Sequence, residues 1–170
     1  MTCSKDYKTY ASQVLALIYE HNDHERIYDL LKVREPKIAQ AGAETFGMEY
    51  LAGRLALACR VWEMACIENG QTSEDTQKAL LRRIMQTFES DKFLKLATLF
   101  SEYLHAPEIE EQPTVAVAET LFKRMDLNTT VTKSTGPEAS VAFETLIAVS
   151  ESFRTSLENQ FFEFTHKEGN

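Results

Sequence analysis

Two tetrads in this chain have the spacing of metal ligands: Glu102-Tyr103-Leu104-His105 and Glu163-Phe164-Thr165-His166. On a helix, a Glu and a His three residues apart share one face. Carboxylate-bridged di-metal bundles use two such pairs and add one Glu from each of two further helices. Glu119 could supply one of these, and Glu49, Glu63 or Glu68 the other. The metal-site reading therefore rests on Glu102, His105, Glu119, Glu163 and His166 around a di-metal centre. A local explanation competes with it. His105 abuts the stop at Ala106-Pro107, and His166 lies close to the last residue. At a helix C-terminus an imidazolium complements the dipole, but a metal ligand needs a rigid frame that chain ends do not give. Surface histidines at helix ends are therefore expected, with no cofactor, and the di-metal centre is the alternative.

Other polar clusters have ordinary explanations. His21, Asp23, His24 and Glu25 fall in a short connection where Asp23 can cap the following helix. Cys59, Trp62 and Cys66 share a helical face, but the two thiols stand about 10 Å apart along the axis, too far for a disulfide or one metal. They are expected in the core. Arg54 and Arg60 are cations inside an apolar stretch, expected to form helix-surface ion pairs with acids such as Glu49 or Glu63, with binding of an anionic group as the alternative. Phosphate loops, HExxH, CxxC and GxSxG are absent from the sequence, so the expectation leans away from an enzyme.

Charge and composition narrow the partners. The 170 residues carry a net charge of −8, and no segment forms a basic arm. The densest basic cluster, Lys78, Arg82 and Arg83, is flanked by Glu74, Asp75 and Glu89 and reads as a solvated helix face. Nucleic acid and anionic membranes call for a cationic patch, so neither is expected as a partner. Three cysteines without a paired framework suit a reducing compartment. The first residues are too polar for a signal peptide, and no apolar run reaches membrane-spanning length. A cytoplasmic, soluble protein is expected, with Asn128-Thr129-Thr130 a chance sequon.

The elements that must position these residues are helices. Tyr7, Tyr10, Ala11, Val14, Leu15 and Ile18 recur at spacings of three and four, giving a helix over about 4–20. A short helix with Ile27 and Leu31 follows, ended by Pro36. The stretch from Pro36 to Glu68 is helix former throughout, with a break or kink expected near Gly42 and Gly47. Its later part, about 45–68, is apolar on most sides, as befits a helix surrounded by others. Asn69-Gly70 would close it, and Thr72 or Ser73 would cap the next. Further stripes end in Phe88, Leu104 and Met125. A threonine-rich linker over 127–136 precedes a long amphipathic helix over about 137–166.

The expected fold is all-α: one domain over 1–170, a compact bundle of six to seven helices around the central apolar helix, with mostly antiparallel neighbours. The leading functional expectation is a non-enzymatic protein-interaction or regulatory module. Its surface would be the aromatic face of the last helix, Phe153, Leu157, Phe161, Phe162 and Phe164, meeting a protein partner or a second copy. The carboxylate-histidine metal bundle is one alternative. A small-ligand bundle with a pocket at Tyr50, Trp62, Met64 and Phe100 is another.

Overall fold

Proline and glycine punctuate the chain as their chemistry requires. A computed structural model describes residues 7–20, 23–68, 74–87, 89–126 and 137–168, excepting the side chains of 7, 8, 19, 20, 65–68, 75, 76, 90, 137–140 and 160–168. Eight helices and no strand occur among the described residues: α1 (Tyr7–Glu20), α2 (His24–Lys32), α3 (Pro36–Ala41), α4 (Ala43–Glu68), α5 (Glu74–Thr87), α6 (Ser90–Leu104), α7 (Pro113–Arg124) and α8 (Pro137–Glu168). Pro36 and Pro113 sit in the first turn of α3 and α7, where a missing N–H costs nothing. Gly42 separates α3 from α4 with φ of +88°, a conformation open to glycine.

Gly47, expected to weaken the helix, stays inside α4 because tertiary packing uses it. A Cβ there would stand 3.0 Å from Cδ2 of His24, so the missing side chain lets the start of α2 lie against α4. The caps expected at 69–73 lie outside the described residues.

Every other helix packs on α4. The residues from Leu55 to Cys59 are all buried; at 100° per residue, five in a row face every direction around the axis. Trp62 is 2% exposed and stacks on Tyr10, ring centroids 4.7 Å apart. The Tyr10 hydroxyl donates to the Ala58 carbonyl at 2.8 Å, which satisfies its one polar atom.

The paired residues give the helix directions. Arg124 meets Glu49 and Val117 meets Gly53, so α7 runs against α4. Phe122 meets Phe143 and Thr114 meets Glu151, so α7 also runs against α8. The stretches 91–95 of α6 and 44–48 of α4 line one depression, and Tyr103 lies by Gly53, so α6 runs with α4. The expected antiparallel neighbours are thus only part of the pattern. From α6 through α7 to α8 the direction therefore alternates, with α6 and α8 running in the sense of α4. This brings the starts of α4 and α6 to one end of the bundle.

Gly53 marks a close crossing of α4 and α7. A Cβ built there would lie 2.7 Å from Val117 Cγ1, and a β-branched neighbour has few rotamers with which to yield. Gly53→Val is expected to cost about 2 kcal/mol through overpacking, read as a lower urea midpoint. A midpoint equal to that of the wild type would show that α4 and α7 have room to separate.

Candidate functional site

Arg54 stands in the stretch of α4, residues 52–62, that is buried all round and has no solvent face to give it. Its side chain is 8% exposed, and the guanidinium lies between two rings, 4.5 Å from the Tyr50 centroid and 4.7 Å from that of Phe153. The rings face the cation with their negative π-surfaces. Nη2 donates to Asp23 Oδ1 at 3.0 Å and to the Tyr50 hydroxyl. That hydroxyl also lies 3.2 Å from Asp23 Oδ1. Burial, opposed by the charge of Arg54, pushes the Tyr50 phenol up to about 12. It is held as a neutral hydrogen-bonding group rather than an acid.

Two expectations change here. Arg54 is not a surface cation paired along its own helix; it reaches across to α2 because α4 is enclosed. Asp23 occupies the N-cap position of α2 but makes no side-chain cap hydrogen bond. Its carboxylate turns instead to Arg54, with Arg26 at 3.6 Å on its outer side. Both bonds would be charge-assisted on the carboxylate side, but the one to Arg54 joins two ions and satisfies a buried guanidinium. Arg60 is likewise buried, pairing with Glu63 one turn on.

This corner is one wall of a cleft of about 280 Å³. Leu15 and Ile18 of α1, Met48 and Leu51 of α4 and Ile84 of α5 make it mainly apolar. Asp23, His24, Tyr50 and Arg54 form its polar end, and Glu44 and Lys92 stand at its edge. A wider depression of about 700 Å³ between α4 and α6 shares Glu44, Met48 and Lys92 with it. The volume of the inner cleft is nearly twice the ~150 Å³ of an apolar cavity that takes up benzene.

A second buried cluster joins α4, α6 and α7. The Tyr103 hydroxyl donates to Glu49 Oε2 at 2.7 Å, and Arg124 Nε donates to both Glu49 oxygens at 2.8 Å. Arg124 also pairs with Glu102. Burial, reinforced by the Glu49 charge, pushes the Tyr103 phenol well above its usual range.

The residues singled out from sequence are scattered. Glu102 is exposed and engaged by Arg124. His105 caps the end of α6, with Nδ1 2.8 Å from the Ser101 carbonyl oxygen, while Glu119 is half-buried on α7. The side chains of Glu163 and His166 lie outside the description. Among the described residues, no three of His, Cys, Asp and Glu come together as a metal site. In the polar connection, His24 lies on Gly47 and Glu25 is exposed, while His21 lies outside the described residues. Cys59 is buried with its thiol pushed up by desolvation; Cys3 and the Cys66 side chain are not described.

On α8, Phe153 is buried against Arg54 and Leu157 is 1% exposed; both are already covered within this chain. The side chains of Phe161, Phe162 and Phe164 lie outside the description. Of the expected pocket residues, Tyr50 lines the cleft, Trp62 and Phe100 are packed in the core, and Met64 is an exposed residue elsewhere on α4. No helix among the described residues is long and apolar enough to cross a membrane.

The arrangement is that of an all-helical bundle with an apolar cleft closed at one end by an Asp-Arg-Tyr corner. No family model, no curated protein and no solved structure matches the chain.

Proposed function

We propose that this protein is a non-enzymatic, regulatory helical module that binds a small, largely apolar ligand in the cleft between α1, α2, α4, α5 and α6. The observation that carries this reading is the cleft itself. It is concave, mostly apolar and furnished with a few convergent polar groups, the usual makeup of a small-molecule site. The polar groups at its end are engaged with one another, which suits holding a ligand better than attacking one. A protein partner on the α8 face has less support, because Phe153 and Leu157 are used internally. The net charge of −8 favours neither nucleic acid nor an anionic membrane as a partner.

N-phenyl-1-naphthylamine, a neutral fluorescent apolar amine, tests the reading. The wild type is expected to bind one equivalent with a Kd in the micromolar range, about −8 kcal/mol. Met48→Trp, which places a larger side chain where the cleft meets the outer depression, should weaken binding at least tenfold with helicity unchanged. Absence of binding, or binding indifferent to Met48→Trp, would reject the cleft as the site.

A further inference from the structure

Arg54, Asp23 and Lys92 together define what the head group of such a ligand should be. The argument rests on the cleft being the binding site, as proposed above.

Arg54 is nine-tenths buried, borders the cleft and is fixed on both sides by rings. It is a preformed oxyanion receptor, since a guanidinium offers a rigid fork of donors to two oxygens. At present its anion is internal. Asp23 fills that place while leaving its own local duty undone, because its carboxylate caps none of the free N–H groups at the start of α2. Asp23 is also the more exposed partner, at 24% against 8% for Arg54. It can swing away without burying an uncompensated charge. A carboxylate released there can accept from the α2 N–H groups, the role that its position in sequence prescribes.

Lys92 gives a second and independent pointer. Among the described lysines, Lys32, Lys37 and Lys78 each lie within 3.1 Å of a carboxylate. Lys92, Lys95 and Lys123 form no ion pair among the described residues, and of these three only Lys92 borders the cleft as well as the depression. It stands in the first turn of α6, where the helix dipole disfavours a cation. Its own helix does not stabilise that charge, and no carboxylate among the described residues forms an ion pair with it. Glu44 at the same edge is an acid in the first turn of α4, which the dipole does favour.

We infer that the cleft takes an organic oxyanion on an apolar body, with the anionic head replacing Asp23 on Arg54 while Asp23 turns to cap α2. Lys92 draws the anion to the entrance. No bond is made or broken; the exchange is of one ion-pair partner for another. It couples ligand binding to the hold of α2 on α4.

Two probes that share one ring system separate this inference from the reading beneath it: neutral N-phenyl-1-naphthylamine and its sulfonate counterpart 8-anilinonaphthalene-1-sulfonate. The wild type should bind both, and the sulfonate more tightly. Asp23→Asn removes the competing charge and should tighten sulfonate binding about tenfold, leaving the neutral probe unchanged. Lys92→Met, at an exposed position, should weaken the sulfonate alone. If the neutral probe binds but Asp23→Asn leaves sulfonate affinity unchanged or lower, the exchange is overturned and the apolar site stands. Equal affinity of Lys92→Met and wild type for the sulfonate overturns the role of Lys92. If neither probe binds, the cleft reading fails, and the inference fails with it.

Discussion

An Arg54→Ala protein is expected to melt about 6–12 °C below the wild type. Breaking a buried ion pair from one side costs about 3–5 kcal/mol. The lower end applies here, because Asp23 is partly solvated and keeps Arg26 nearby. For a chain of this size each kcal/mol shifts the midpoint by about 2–4 °C. The loss has two sources: the pair with Asp23 and the packing of the guanidinium between Tyr50 and Phe153. A double-mutant cycle with Asp23→Ala isolates the first and should return a coupling of about 1–3 kcal/mol. A coupling near zero would mean that the rings alone hold Arg54, and Asp23 would be a bystander.

Glu49→Ala should be comparably damaging, by about 3 kcal/mol. Glu49 is the only acceptor shown for the buried Tyr103 hydroxyl and the main partner of Arg124. Truncation strands a phenol in the core and leaves a large cation with only Glu102. A buried group left without its partner costs about 1–3 kcal/mol, more when charge is involved. Glu49→Gln keeps an acceptor for Tyr103 but gives up the charge facing Arg124, so it should cost about half as much. The ordering wild type, Gln, Ala in urea unfolding checks the assignment. If Gln and Ala are equally destabilised, the charge on Glu49 matters and the Tyr103 hydrogen bond does not.

Most of the helices were legible because their signals are local. The three-and-four spacing of Tyr7, Tyr10 and Val14, and the prolines at 36, 113 and 137, depend only on near neighbours. The central helix was legible for a different reason: an apolar surface on all sides leaves burial as its only stable environment. That same fact carried an unread consequence. A stretch buried all round cannot keep Arg54 on a surface, so its partner had to come from another helix, whereas Arg60, though buried, keeps the expected pair with Glu63 one turn on. The partner of Arg54 could not be read, because Asp23 lies 31 residues away and local rules assign it to a cap. Glu49 and Arg124, 75 residues apart, left no trace in any window. The Glu-x-x-His pairs show the opposite case, in which a pattern is visible but the fold assigns its members to other work. Glu102 serves Arg124, and His105 ends a helix. The cleft itself had no sequence signature, since Leu15, Met48 and Ile84 look like any core residues until the helices are assembled.

The way the helices share α4 also divides the molecule. On one side α1 and α5 pack on each other and on α4; on the other, α7 and α8 do the same. Among the described residues, the principal connection between these two shells is the shaft they grip in common. Cooperative units of this kind can open separately while the remainder stays closed. The single tryptophan belongs to the first shell through its stack on Tyr10, so its emission is a native gauge of that half. The Phe122–Phe143 contact holds the other half and is silent to it. Melting followed by tryptophan emission and melting followed by helicity therefore report on different portions of this chain, and any gap between the two curves measures how firmly the shaft ties its shells together.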